Sequence, residues 1–233
     1  MYDHIPIFRT AGKTHHYKRE QSLIRMADSW HAWDNDYRSR GQLWGGSPAS
    51  LPDIPAGSRV LEMGCGSGKT VSALVHRSHD ITAIDFSEKA VEMTRQIILK
   101  CNTGNAVVAD ARHLPFHDNA FGYIVARHVI GHMHNVGRRE VAREAARVLQ
   151  PGGHLVVQVF SVDDMRNGSG RTVEDGTFLR GRGIVTHYFT IPELEALFPG
   201  LKKESVTPRR WTMRIRRRDL LRAEIIAVLV KEM

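Results

Sequence analysis

Three glycines at alternate positions form the part of this chain best suited to chemistry. An apolar pair, Val60 and Leu61, leads through Glu62 to Gly64, Gly66 and Gly68. Glycine has no Cβ and tolerates positive φ, so such a loop brings bare backbone against a ligand. The helix predicted from Thr70 to His76 points its positive end at the same loop. The pattern predicts a site for a nucleotide-like cofactor at the carboxyl end of a parallel strand.

The spacing of the glycines separates three classes of cofactor site. A P-loop needs a glycine where Met63 stands, although Gly68 is followed by the required lysine and threonine. A dinucleotide site needs G-x-G-x-x-G, whereas this loop reads G-x-G-x-G. The string from Val60 to Gly68 resembles motif I of the class I S-adenosylmethionine (SAM)-dependent methyltransferases. The resemblance continues in order, with similar gaps, from Arg59 to Phe160.

Two further acids stand at the ends of apolar strands. Asp85 closes the run Ile81–Asp85, and a carboxylate there can accept both hydroxyls of a ribose. The resemblance implies that Asp110 accepts the exocyclic amine of adenine. It also implies SAM as the cofactor and S-adenosylhomocysteine (SAH) as the product. The residues expected to bind the cofactor are Glu62, Gly64, Cys65, Gly66, Gly68, Asp85, Phe86, Asp110, Ala111, Arg112 and Arg127.

The candidate catalytic residue is His132, in the segment that follows the fourth strand. Methyl transfer from a sulfonium is an in-line displacement, and a base helps only where the acceptor must lose a proton. The alternative is a histidine packed for structure. His128 and His132 would share a helix face as zinc ligands do, but only His134 is near as a third ligand, so we expect no metal.

The acceptor is expected to contact residues of the N-terminal lead and of the segment after the fifth strand. In the resembling family both parts cover the active site. The candidates are Tyr37, Trp44, His132, Arg180, His187 and Tyr188. The alternative for the aromatic pair is a hydrophobic plug that holds the lead on the core. For the others it is ordinary loop and strand-edge surface.

Strands and helices alternate along the chain, which predicts an α/β fold with helices on both faces of a parallel sheet. The resemblance implies a doubly wound, seven-stranded, mostly parallel sheet with an antiparallel last strand. We expect one domain: an N-terminal cap (1–50), a cofactor-binding core (51–160), a lid insert (161–190), and a closing helix and strands (191–233). A short helix is expected from Gln21 to Trp30. Ser87 and Thr190 are the expected helix caps.

The composition excludes several classes of protein. The chain has 233 residues, 42% of them hydrophobic, which suffices for one well-buried core. It contains no apolar run long enough to span a membrane and no apolar signal-peptide core near its start. With two cysteines, a disulfide framework is not implied and the expected location is cytoplasmic.

The sequence does not identify the methyl acceptor, and it leaves three hypotheses. The first is a small molecule enclosed by the 161–190 insert. The second is RNA, because the net charge is +8 and the segment 208–218 carries six arginines around Trp211. A solvated basic turn is the favoured interpretation of that segment. The third is an inactive SAM-binding partner subunit. The sequence does not indicate the oligomeric state.

Overall fold

A seven-stranded sheet forms the centre of the protein. The computed structural model describes residues 31–41, 51, 53–77, 79–181 and 183–233. The strands are β1 (Arg59–Met63), β2 (Asp80–Asp85), β3 (Gly104–Val108), β4 (Phe121–Arg127), β5 (Leu149–Phe160), β9 (Lys202–Ile215) and β10 (Arg218–Val230), in the order β3-β2-β1-β4-β5-β10-β9. The first five are parallel, and β10 runs antiparallel to both β5 and β9. The expected fold class, including the antiparallel last strand, is confirmed.

Apolar side chains of β1 point alternately to the two faces of the sheet. Val60 packs into one core and Leu61 into the other, and both are fully buried. Successive side chains of a strand face opposite sides, so a strand that is apolar throughout requires cover on both. This is why helices lie on both faces of the sheet.

The helices that supply this cover are short or amphipathic. They are α1 (31–40), α2 (Lys69–Leu74), α3 (Glu88–Cys101), α4 (Asn135–Val148) and α5 (Ile191–Ala196). α2 and α3 pack on the Val60 face, while α4 and α5 pack on the Leu61 face. Both expected caps are confirmed, since Ser87 accepts from the N–H of Ala90 and Thr190 from that of Glu193.

The segment between β5 and α5 folds as a separate three-stranded antiparallel sheet. Its strands are β6 (Arg171–Glu174), β7 (Thr177–Arg180) and β8 (Ile184–His187), paired in that order. We expected a turn-rich insert here, and the strands were missed because each has only four residues. Residues of this insert line one side of the cavity described below.

Two expectations concern residues outside the part of the chain that is described: the helix over 21–30 and the position of Trp44. Among the described residues, no helix combines the length and the apolar character that crossing a bilayer requires.

Candidate active site

A cavity of about 940 Å³ lies at the carboxyl ends of the parallel strands. This is the edge at which open α/β sheets bind their ligands. Most of the expected site residues line the cavity: Tyr37, Glu62, Gly64, Cys65, Gly66, Asp85, Phe86, Asp110, Ala111, Arg112, Arg127, His132, Arg180 and Tyr188. The structure therefore brings together residues that are up to 151 positions apart in the chain, from Tyr37 to Tyr188.

The glycine loop has the geometry that only glycine tolerates easily. Gly64, Gly66 and Gly68 have φ of 71°, 51° and 81°. A Cβ on Gly64 would lie 2.7 Å from Val129, and one on Gly66 would lie 2.5 Å from the hydroxyl of Tyr37. Both distances are below contact, so the loop leaves room for neighbours that a side chain would displace.

Asp85 holds this loop in place from the next strand. Its carboxylate accepts the N–H of Gly66 and the N–H of Ser87, each at 2.9 Å. Burial raises the pKa of Asp85 to about 6, and the two backbone donors partly oppose this rise. Each carboxylate oxygen has a second lone pair. The group can therefore accept ribose hydroxyls while it still supports the loop.

Glu62 is the most completely enclosed acid of the site. Burial raises its pKa to about 8, although the positive charge of Arg127 and the hydroxyl of Thr70 lower it. Its Oε2 atom is buried and has no hydrogen-bond partner among the described residues. A buried acceptor of this kind is costly unless a ligand supplies the donor. The ammonium group of a methionine moiety fits that requirement.

Asp110 and Arg112 form an ion pair at the other end of the cofactor region. The guanidinium Nε of Arg112 lies 2.9 Å from both carboxylate oxygens of Asp110. The hydrogen bonds and charge of Arg112 outweigh burial and lower the pKa of Asp110. The carboxylate stays ionised, and its remaining lone pairs can accept an amine.

Helix α1 covers the glycine loop. Its Asp34 accepts a 2.6 Å hydrogen bond from the hydroxyl of Ser87, the residue that caps α3. Tyr37 is buried, and its hydroxyl lies directly over Gly66. Tyr37 therefore packs the N-terminal segment against the core, as the plug alternative predicts, and it also lines the cavity beside the glycine loop.

His132 lies in a short 3-10 turn, Ile130–His132, beneath the small sheet. Its Nδ1 is 2.8 Å from the carbonyl oxygen of Val185 in β8. A carbonyl only accepts, so Nδ1 carries the proton and Nε2 carries the lone pair of the neutral ring. Burial lowers the pKa of His132 to about 4, which keeps this tautomer neutral at physiological pH. The indole of Trp33 packs edge-on at 4.8 Å from the ring.

The three histidines considered as metal ligands bind different partners. Nε2 of His128 lies 3.1 Å from Glu224, and Nδ1 of His134 lies 3.1 Å from Glu174. His132 faces β8 instead. His128 has φ of 56° and is not helical, so the shared helix face does not form.

Two expected site residues are not at the cavity. His187 points to the far side of β8, where its ring bonds to Thr177 at 2.8 Å and Glu193 at 2.7 Å. It ties the small sheet to α5, so its assignment to the acceptor pocket is corrected. Gly68 is the N-cap residue of α2, packed near Thr94 and Ile97, and it shapes the turn without lining the cavity.

The basic segment 208–218 contributes to the cavity, which the solvated-turn interpretation missed. Arg209, Trp211 and Met213 alternate along β9 and face inward. The sequence does contain a signal for this arrangement: the three residues are spaced two apart, which places their side chains on one face of a strand. The arginines of the tip, from Arg214 to Arg218, are exposed.

Two charged residues of β10 were also missed. Arg222 and Glu224 line the cavity although they are 5% and 6% exposed. Glu224 accepts a 2.6 Å hydrogen bond from Gln158 and lies beside His128. Charged residues at the start of an otherwise apolar buried strand were the signal, because such residues are rarely buried without a partner or a function.

Comparison with known proteins agrees with this geometry. A family model described as a methyltransferase domain matches residues 61–157. The 27-O-demethylrifamycin SV methyltransferase of Amycolatopsis mediterranei is 37% identical over 48% of this chain and 42% of its own length. The tRNA N(3)-cytidine methyltransferase METTL2 of Danio rerio is 29% identical over 69% of this chain and 50% of its own. The chain thus spans about half the length of these relatives.

A solved structure gives the same result for the fold. A SAM-dependent methyltransferase from Methanosarcina mazei superposes with a TM-score of 0.65 at 21% identity, covering 80% of this chain and 100% of that one. The family match includes the strands that carry the glycine loop, Asp85 and Asp110. Residues 61–157 therefore match a methyltransferase-domain family, and the fold is similar to that of solved SAM-dependent methyltransferases.

Proposed function

We propose that this protein transfers the methyl group of SAM to a small molecule enclosed in the cavity. The observation that carries the proposal is the continuity of the cavity. The cavity runs from the glycine loop to the β9–β10 hairpin and has a volume of about 940 Å³. Cavities for cofactors and small molecules typically measure about 300–1,000 Å³.

The order of the strands divides the cavity into two halves. The cofactor carboxylates follow β2 and β3 on one side of β1, whereas β5, β10 and β9 lie on the other side of β4. With strands about 4.8 Å apart, β2 lies about 10 Å from β4, and β9 about 14 Å from β4 in the opposite direction. SAM would occupy the first half, and the acceptor the second.

In the cofactor half, three polar groups of SAM have a matching residue. Asp85 accepts the ribose hydroxyls, and Asp110 accepts the adenine amine. Glu62 offers its buried oxygen to the ammonium group. When bound, SAM supplies an electrophilic methyl group, and the task of the chain is to hold the acceptor in line with it.

The acceptor half supplies one candidate base. His132 lines the cavity near the end of β4, with Nε2 as the lone-pair atom. We propose that it takes a proton from the acceptor where the acceptor atom carries one. Its low pKa means that the ring enters the reaction neutral, so it does not have to lose a proton first.

A structured RNA is the second candidate acceptor. One relative is named as a tRNA methyltransferase, and the tip of the β9–β10 hairpin presents exposed arginines. Exposed arginines bind phosphates without selecting an acceptor atom. The inward face of the same strands and the cover provided by α1 favour the small molecule.

The test is transfer of a tritiated methyl group from SAM into an extract of the source cells, separated by size afterwards. We expect label in the small-molecule fraction. Label confined to RNA or protein would contradict the proposal and make the hairpin tip a docking surface. Binding of SAM without transfer into any fraction would favour the inactive-partner alternative.

The same assay tests the role of His132. His132→Asn keeps a donor for the carbonyl of Val185 but removes the base. We expect a loss of about 10²-fold or more in transfer with unchanged SAH affinity. His117→Asn, at an exposed position, is the matched control. An equal loss in both variants would contradict the assignment.

A further inference from the structure

The acceptor half of the cavity carries an excess of positive charge. Among the described residues that line it, one is a carboxylate, Glu224. Four are arginines that follow β4: Arg166, Arg180, Arg209 and Arg222. Glu224 is already engaged by Gln158 and His128. The local chemistry therefore matches a negatively charged ligand better than a neutral one.

Arg222 lines the acceptor half of the cavity in a fixed conformation. Its Nε lies 2.6 Å from the carboxylate of Asp164, and both side chains are buried. Its guanidinium also lies 5.1 Å from the ring centre of Phe160 and 5.5 Å from that of Trp211. A buried, paired and stacked arginine is held in one conformation. It shapes the subsite, while its charge is already balanced.

Arg166 and Arg180 differ from Arg222 in forming no ion pair among the described residues, although the charge of Asp164 partly offsets that of Arg166. Neither has a carboxylate within 4.0 Å in the described part of the chain. Burial lowers the pKa of Arg166, and the like charges of Arg222 and Arg180 lower it further. Guanidinium groups collected at one place repel each other, and an anion between them would relieve the repulsion.

Tyr188 supplies an independent observation at the same place. Its side chain is 1% exposed and lines the cavity. Its hydroxyl makes no hydrogen bond of good geometry among the described residues, and the Arg180 guanidinium lies close enough to oppose the rise in its pKa that burial causes. The ring is fixed between Phe160 and Phe178, each 6.1 Å away between centroids. A buried hydroxyl without a hydrogen bond of good geometry is costly, and a ligand oxygen would satisfy it.

We propose that Arg166, Arg180 and Tyr188 form a subsite for an anionic group of the acceptor, a carboxylate or a phosphate. The inference rests on the proposed function, because it names the chemical class of the acceptor. The subsite belongs to the loop after β5 and to the small sheet, whereas Asp85 and Asp110 follow β2 and β3. The anion is therefore a second ligand and not the carboxylate of SAM.

The experiment uses the full chain saturated with SAH. Three probes that each contain one phenyl ring are titrated into it calorimetrically: phenyl phosphate, benzoate and phenol. We expect at least one anion to bind about tenfold or more tightly than phenol, since charge-assisted hydrogen bonds are about twice as strong as neutral ones. The tighter anion identifies the preferred group. Arg166→Met and Arg180→Met should each weaken its binding about tenfold and leave phenol unchanged.

Two controls keep the result interpretable. Arg214→Met removes an exposed arginine of β9 outside the cavity and should change nothing. Arg166→Lys keeps the charge and should retain most of the anion affinity, which separates lost charge from misfolding. Equal binding of phenol and both anions, or anion binding that neither methionine variant weakens, would overturn the inference. Failure of the wild-type chain to bind SAH would overturn the proposed function instead.

Discussion

Asp85 supports the glycine loop, and we propose that it also accepts the ribose hydroxyls of the cofactor. Removing its carboxylate frees the N–H groups of Gly66 and Ser87 and deletes the acceptor for the ribose. We predict that Asp85→Ala weakens SAH binding by about 2–3 kcal/mol, measured by titration calorimetry. Unchanged affinity would remove the main cofactor assignment.

Asp80→Ala is the matched control for this prediction. Asp80 begins the same strand at its opposite end and is exposed. The variant should bind SAH as the wild type does. A similar loss in both variants would mean that the effect comes from destabilising β2.

The raised pKa of Glu62 predicts a pH-dependent affinity for the cofactor. With a pKa of about 8, the side chain is mostly protonated at pH 7 in the free protein. An ammonium group beside it favours the carboxylate, so binding expels a proton. SAH affinity should therefore rise with pH by up to about tenfold per unit below about pH 8, reach a maximum there, and fall at higher pH as the ammonium of SAH loses its proton.

The check is calorimetric titration from pH 6 to 8.5 in buffers with different ionisation enthalpies. Glu62→Gln should bind without releasing this proton and show a flatter pH profile. The stability of the free protein has the opposite sign. Its folded state binds the extra proton, so this group makes the free energy of unfolding fall as pH rises from about 4.5 towards 8. Affinity in the wild type that is independent of pH would contradict the assignment.

Single residues of the cofactor half could be predicted because they belong to one continuous motif and two strand ends. Those of the acceptor half could not be predicted in the same way. Arg166 and Arg222 come together only through folding, and nothing in their spacing indicates this. Arg180 and Tyr188 were expected at the cavity only because the family resemblance places their segment over the site. His187 illustrates the limit, since its neighbour in sequence lines the cavity while its own ring faces α5.

The β9–β10 hairpin contains a strained turn. Ile215 pairs with Arg218, so Arg216 and Arg217 form a two-residue loop with φ of 48° and 64°. Turns of this kind prefer Asn-Gly, because a Cβ is unfavourable at positive φ. We predict that Arg217→Gly raises the free energy of unfolding by roughly 0.5–1 kcal/mol in urea denaturation.

Arg218→Gly provides the control one position further along. Arg218 begins β10 and does not have a positive φ, so glycine brings only its entropic cost there. The second variant should be less stable than the wild type by a few tenths of a kcal/mol to about 1 kcal/mol. If both substitutions stabilised the protein, the gain would come from lost positive charge and not from relieved strain.

Elements with strong local signals were predicted well. The apolar runs of β1, β2 and β4 and the caps Ser87 and Thr190 are determined by nearby residues. The strands of the insert are too short and polar for such a signal. Their pairing depends on the rest of the fold, because His132 bonds to Val185 of β8 and Phe189 packs on the ring of His187 of the same strand.

At the scale of the whole molecule, the seven-stranded, mostly parallel sheet with its antiparallel last strand could be inferred from the family resemblance. The role of the net charge of +8 could not. The basic segment 208–218 was treated as one surface, yet its alternate residues serve the cavity and the solvent. Charge counted along a sequence does not separate the two faces of a strand.

The division of the cavity has a consequence for how such a protein diversifies. The cofactor half is encoded between residues 59 and 112, whereas much of the acceptor half comes from residues after 160. The family match ends at residue 157, where the second stretch begins. We therefore infer that substitutions in the cavity-lining residues after 160 change the acceptor more readily than they change cofactor recognition, as long as β10 keeps its pairing with β5.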